Sequence, residues 1–339
     1  MEKRRFGRTG LQVSLLGFGC GAVGGLMVRG GPADQERAVA RAVERGVNYF
    51  DTAPLYGDGQ SETNLGRVLA RLKPDVLVGT KVRVRDSEKA DIAGAIRAGI
   101  DASLRRLGLD HVDLFQLHNP IAGDGAGEAL TPEAVMEQVA PTFEMLRRQG
   151  KTRFIGITAV GETSALHTVI GSGAFDTAQV CYNMLNPSAG GPVPARYPGQ
   201  DYGDLLGRMQ AAGMGAIGIR VLAGGALSGT AERHPIASPP PAPIGSGPDY
   251  AADLARAQSL LPLVEEAGVA TLAEVAVRFA ISHPAMGTAL IGIATPEQFE
   301  AAASAAEKGG LPESVLVRLR RLQESFAACS EAASLDERA

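Results

Sequence analysis

Short runs of β-branched and apolar residues alternate along the chain with longer stretches in which Ala, Leu and Arg recur at helical spacing. The extended runs fall at residues 15–20, 48–53, 76–82, 112–119, 152–159, 177–183, 215–221 and 288–293. Helical spacing is clearest over 34–45, 62–71, 90–107, 131–149 and 272–282. Several of these stretches open on side chains able to cap a helix and run out near glycine, at Gly46, Gly108 and Gly150. Strands separated by helices predict parallel pairing through right-handed crossovers. Eight such units in 339 residues fit an α/β fold of the (β/α)8 TIM barrel kind, as a single domain over 1–339. Ahead of the first barrel strand, residues 4–14 hold a turn between two short extended runs. They predict an N-terminal β-hairpin set to plug the barrel's N-terminal mouth.

The competing closure is an open, doubly wound sheet, which places G-x-G-x-x-G straight after its first strand. Gly19-Cys20-Gly21-Ala22-Val23-Gly24 has that spacing. The segment that follows, 26–34, contains Gly30, Gly31 and Pro32 and is not expected to start a helix where the motif needs one. The barrel is therefore preferred. A second irregular stretch, 223–250, is rich in Pro and Gly and follows the seventh strand, so it leaves the face where barrels carry their chemistry. Two readings of it stand: a lid over the site, or an insertion without contact to it.

Composition narrows the function classes. Hydrophobic residues make up 45% and charged residues 21%, the balance of a globular enzyme. The net charge of -4, from 33 basic and 37 acidic side chains that are scattered along the chain, leaves no basic field to hold nucleic acid. The first residues are charged and then amphipathic, unlike a signal peptide, and no long apolar run reads as membrane-spanning. Cys20, Cys181 and Cys329 are too few and too widely spaced for a disulfide framework or a paired-cysteine zinc site. The expected setting is the cytoplasm and the expected partner a small molecule; oligomeric state is not set by the sequence.

In a barrel, reactive groups sit where strands end. Reading each strand end gives Asp51, with Tyr56 five residues on, then Lys81, and then His118 followed by Asn119. A buried Asp or Lys is costly unless paired, so Asp51 and Lys81 are expected to pair. Tyr56 and His118 would stand beside them. Moving hydride to a carbonyl needs a proton for the developing alkoxide, and the reverse reaction needs a base. A tyrosine titrates near 10, and a neighbouring ammonium is expected to lower that value toward use as an acid/base. Asp51 would hold Lys81 charged, and His118, with Asn119 beside it, would bind and orient the substrate. A metal site would want several inward His or carboxylate groups, and only Asp51 and His118 qualify. His111, His167, His234 and His283 read as structural or exposed.

These segments resemble the aldo-keto reductases. The resemblance rests on Gly46-Val47-Asn48-Tyr49-Phe50-Asp51-Thr52-Ala53-Pro54-Leu55-Tyr56-Gly57 with Glu62 and Gly66 following, on Lys81, and on the run from Ser103 to His118. It implies a (β/α)8 barrel holding an extended nicotinamide cofactor, NAD or NADP, without a doubly wound domain. It also implies hydride transfer to or from a carbonyl carbon, with Tyr56, Lys81, Asp51 and His118 catalytic. Gly21, Asp51, Thr158, Gln179, Arg220, Leu222, Gly224, Gly292 and Gln298 would bind the cofactor. Gln179 matches the residue that holds the nicotinamide carboxamide. Where the family has Ser-Asn this chain has Thr158-Ala159, and its Tyr-Ser-Pro-Leu is Ile219-Arg220-Val221-Leu222. The Lys and Arg that hold an adenosine phosphate in many members align with Ala294 and Thr295, and an adenine-binding Glu-Asn pair aligns with Ala301 and Ala302. The resemblance also allows another reading, a cofactor-binding barrel that senses redox state and turns over little.

Overall fold

The computed structural model describes residues 1–336, with side chains through Phe326, so the side chain of Cys329 lies outside the described residues. Two short strands, β1 (Lys3–Arg5) and β2 (Gln12–Ser14), pair antiparallel as the expected hairpin. Eight parallel strands then close into a barrel: β3 (Leu16–Gly19), β4 (Tyr49–Asp51), β5 (Leu77–Val82), β6 (Val112–Leu117), β7 (Thr152–Ala159), β8 (Thr177–Cys181), β9 (Gly215–Ile219) and β10 (Met286–Gly292). Each pairs with its neighbours in sequence, and β10 returns to β3. The helices that follow these strands are α1 (Pro32–Glu44), α2 (Gln60–Leu72), α3 (Ile92–Leu107), α4 (Ala140–Arg148), α5 (Thr163–Gly171), α6 (Leu205–Ala211), α7 (Leu272–Ser282) and α8 (Pro296–Glu307).

Helix α3 shows how local sequence makes these elements. Asp91 caps its start by accepting from the Gly94 amide at 2.8 Å, and Gly108 ends it in the left-handed region at φ +66. Between them Ile92, Ile96, Ile100 and Leu104 repeat every fourth residue, so one apolar face is buried against the barrel wall.

Inside the barrel the period of two sorts residues into layers. At the bottom Tyr49, Leu114, Ile217 and Leu290 meet Phe6 from the hairpin, which fills the N-terminal mouth. Phe6 is fully buried, its ring tilted against Tyr49 at 6.5 Å. Two residues further along their strands, Asp51 and Gln116 point into the same interior, now as polar groups.

Three expectations are refined or corrected. Residues 26–34 do contain a helical turn, Leu26–Arg29, which stops at Gly30 before α1 begins at Pro32. The helix expected over 131–149 forms and runs without a gap from Pro132 to Arg148, but it carries a π-turn at Val135–Val139 just before Pro141. Pro141 has no N–H to donate and its ring crowds the carbonyl four residues back, and the wider turn accommodates both. The 223–250 stretch is neither an insertion without contact to the site nor simply irregular. It opens with a 3-10 turn at Ala223–Ser228 and then crosses to the loop after β3. There the Ser238 amide donates to Val23 O at 3.0 Å, and Arg29 Nε donates to Ile236 O at 2.6 Å. No helix among the described residues is long and apolar enough to cross a membrane.

Candidate active site

The register of the sheet sets Gly19 beside Asp51, Asp51 beside Gly79, and Lys81 beside Gln116. The ends of four adjacent strands thus converge on Asp51. Lys81, fully buried, donates from Nζ to Asp51 Oδ1, to Thr52 O at 2.9 Å and to Tyr56 Oη at 3.3 Å. Asp51 Oδ2 accepts from Tyr49 Oη at 2.9 Å, Gln179 Nε2 at 2.8 Å and Gln116 Nε2 at 3.3 Å. A carboxylate taken out of water is thus held by one ammonium and three neutral donors, the arrangement burial of a charge requires.

Lys81 also lies 5.0 Å from the centre of the Tyr56 ring, and Tyr56 meets His118 edge to face at 6.0 Å. Tyr56, Lys81, Asp51 and His118 are therefore brought together as expected. The expected lowering of Tyr56 is corrected. Burial pushes the phenol up, and the downward pull of Lys81 does not overcome it. Burial also draws Lys81 down, but Asp51 and Tyr56 more than restore it, so the ammonium is favoured. Burial, reinforced by Lys81 and Arg83, pushes His118 down to about 3, so its imidazole is neutral across the physiological range, and Nδ1 is buried without a partner.

This cluster forms one wall of a cavity of about 810 Å³. All nine residues expected to meet a cofactor line it: Gly21, Asp51, Thr158, Gln179, Arg220, Leu222, Gly224, Gly292 and Gln298. Gln179 Nε2 is engaged by Asp51, and its Oε1 is 3.4 Å from Thr158 Oγ1, a long contact that leaves the oxygen open. Gln298 Oε1 accepts from the Ala294 amide at 2.7 Å, leaving its NH2 free to donate. Arg220 holds a left-handed backbone at φ +55, unusual for a side chain of its size, fixed by Asn183 Nδ2 donating to its carbonyl at 2.9 Å. Its guanidinium is drawn down by burial and makes no ion pair among the described residues. The chain passes close at glycines, and a side-chain carbon at Gly24 would strike the Ile293 backbone. The crossing segment supplies part of the roof through Arg233, His234, Ala237 and Ile244. His234 is thus a cavity residue, not merely a turn residue.

Asn119 is a correction. It is fully buried and absent from the cavity wall: Oδ1 accepts from the Val84 amide at 2.9 Å, and Nδ2 donates to Val84 O at 2.6 Å and Glu128 O at 2.7 Å. Its amide clamps two loops and is not free to meet a substrate. Residues that the sequence reading missed are Tyr49, Gln116 and Arg83. Tyr49 and Gln116 stand two positions before Asp51 and His118, so the period of two already placed them on the inward face. Arg83 lines the cavity near His118, its Nε 2.6 Å from Glu128 Oε2.

The chain is similar to known proteins over nearly its whole length. The chain is 29% identical to the L-galactose dehydrogenase of Arabidopsis thaliana over 96% of its own length and 95% of that protein's. It is 27% identical to a putative voltage-gated potassium channel subunit beta of Schizosaccharomyces pombe, over 87% of this chain and 85% of the relative. Among solved structures, the holo form of an aldo-keto reductase from Bacillus halodurans shares the fold with a TM-score of 0.71 at 24% identity, over 95% of this chain and 96% of that one. Residues 15–324 match the aldo/keto reductase family, a span that takes in all eight barrel strands and the whole Asp51 cluster. On that extent of agreement, the chain belongs to the aldo/keto reductase family of oxidoreductases.

Proposed function

We propose that the protein moves hydride between NAD or NADP and the carbonyl or carbinol carbon of a small aldehyde, ketone or aldose, with Tyr56 as general acid/base. The observation that carries this reading is the 3.3 Å contact between Tyr56 Oη and Lys81 Nζ on the cavity wall, backed by a carboxylate with three further donors. Tyr56, pushed up by burial, holds its proton at neutral pH and so stands ready to protonate an alkoxide. Lys81 stabilises the tyrosinate left behind, and Asp51 keeps Lys81 charged and in place. His118, neutral and on the cavity wall, orients the substrate oxygen by a hydrogen bond.

The residues present fit a dinucleotide. Gly24, Gly224 and Gly225 put bare backbone on the cavity wall, and Arg220, which makes no ion pair among the described residues, offers a guanidinium to an anionic group. Gln179 Oε1 and Thr158 would accept from and orient the carboxamide. Bound there, the nicotinamide ring supplies or takes up the hydride. At the substrate end, Arg83 on the cavity wall favours a hydroxylated molecule over an alkyl aldehyde, and the likeness to an L-galactose dehydrogenase supports trying aldoses first.

The test is consumption or formation of NAD(P)H with a panel of aldehydes, ketones and aldoses, L-galactose among them. Tyr56→Phe should lower kcat/KM by about 10²–10⁴ while nucleotide binding persists; a variant with full activity ends the assignment. The likeness to a potassium channel beta subunit favours a second reading, a nucleotide-binding regulatory barrel. Tight nucleotide binding with no turnover across the whole panel would select it.

A further inference from the structure

We propose that the far end of the cavity selects a dinucleotide whose adenosine ribose carries free hydroxyls over one bearing an additional phosphate, and that Glu274 sets this choice. The inference rests on the dinucleotide reading above. The cavity extends from Tyr56 and His118 into a groove between α7 and α8, walled by Ala273, Glu274, Ala301, Ala302 and Ser304.

The cations that line the cavity lie elsewhere along it. Arg83 stands near His118. Arg220 and Arg233 lie at the glycine turn, each with Nη1 close to where a side-chain carbon of Gly224 or Gly225 would stand, and Arg233 Nη1 donates to Gly224 O at 2.8 Å. Arg41 and Arg45 reach α8 from α1 and are tied to Glu300 and Glu307. Lys308, one turn beyond Ser304, donates to Glu274 Oε1 at 2.6 Å and is not part of the wall. A second carboxylate, Glu232, lines the cavity from the crossing segment.

A phosphate entering the groove between α7 and α8 would therefore lose water and meet a carboxylate, with no free guanidinium among the described residues of its wall to take up its charge. Ribose hydroxyls meet the opposite situation. Glu274 accepts only, and Lys308 occupies Oε1 alone, so Oε2 and the remaining lone pairs suit two neighbouring O–H donors. The alanines offer a flat apolar surface to a base and no competing charge.

Direct titration of the full chain with NADH and NADPH, following bound-nucleotide emission at fixed ionic strength, tests this without any substrate. NADH is expected to bind at least about tenfold more tightly than NADPH. Glu274→Gln should shrink that ratio at least about fivefold, both by loosening NADH and by releasing Lys308 to a phosphate. Lys308→Ala, which leaves the carboxylate in place, should keep the preference for NADH. Equal or tighter binding of NADPH by the unmodified chain overturns the proposal, as does a ratio that Glu274→Gln leaves unchanged. If Lys308→Ala weakens NADPH alone, Lys308 is itself a phosphate ligand and the proposal fails. Binding of neither nucleotide would instead remove the dinucleotide reading on which it rests.

Discussion

The two ends of the cavity are built on opposite principles. At the end proposed to be catalytic, Asp51, Lys81, Tyr49, Gln116, Gln179 and Tyr56 are joined by hydrogen bonds in the barrel interior, where Lys81 is wholly buried and Asp51 nearly so. At the other end Ala273, Ala301 and Ala302 line a groove between two helices, with Glu274 as its charged group. The first end fixes the position and charge of a few atoms and tolerates little change. The second presents a shape and one carboxylate and is free to vary, which fits the contrast within this sequence: the motif around Asp51, Tyr56, Lys81 and His118 is complete, whereas the positions that align with the family's adenosine ligands, Ala294, Thr295, Ala301 and Ala302, carry small side chains. Energetically, the first should respond to substitution through stability and chemistry together, the second through affinity alone.

The largest effect on folding is expected at Lys81. Lys81→Met keeps much of the volume but leaves Asp51 buried with only neutral donors, and breaking a buried pair costs about 3–5 kcal/mol. Denaturant unfolding would measure it; a loss below about 1 kcal/mol would mean that the pair behaves as an exposed one and that the catalytic end is not the rigid partner in the comparison. His118 gives a pH-dependent version. Its imidazole titrates near 6.5 when unfolded and about 3 when folded. Between those values the unfolded chain binds the extra proton, so the contribution to stability is present above pH 6.5 and lost as pH falls toward 3. His118→Gln should flatten the fall in unfolding midpoint between neutral and mildly acid pH relative to the parent; parallel curves would contradict the burial of this ring.

A smaller change at the same end is Tyr49→Phe, which removes one donor from Asp51 at 2.9 Å without altering the aromatic layer above Phe6. Hydrogen bonds to charged groups contribute about 1.5–3 kcal/mol. The expected result is a stability loss in that range, with turnover reduced far less than in Tyr56→Phe. Full retention of stability would show that Gln116 and Gln179 suffice to hold the carboxylate.

The barrel and its four central residues were legible because both follow from short periodicities. Strand patterns repeat eight times, and a polar residue directly after an apolar strand marks a strand end. Tyr49 was not legible as a partner of Asp51, since an aromatic residue in a strand reads first as packing, which Tyr49 also provides through Phe6. Asn119 misled for the converse reason. A polar residue beside His118 looks like a substrate ligand until the return of the chain at Val84 and Glu128 shows what its amide holds. The direction of the Tyr56 shift was likewise out of reach, because sequence identifies the ammonium but not the depth of burial that outweighs it. The path of 223–250 depends on contacts with Val23 and Arg29, some 200 residues earlier.

The subtlest expectation concerns the other end. Ala301 is exposed on α8 and lines the groove, so Ala301→Leu adds volume where a ligand would lie without crowding the core. Stability should stay within about 0.5 kcal/mol of the parent, as for other surface changes. Filling the groove should cost a bound nucleotide about tenfold in affinity, toward the low end of overpacking penalties of about 1–3 kcal/mol. Titration with NADH and a parallel unfolding curve would separate the two quantities. Unchanged affinity would mean that the adenosine end does not enter the space between α7 and α8, and the contrast between a fixed catalytic end and a recognition end set by shape and one carboxylate would then need another boundary. A loss of stability equal to the loss of affinity would instead show that the groove is part of the packed core, joining the two ends that the hydrogen-bond pattern separates.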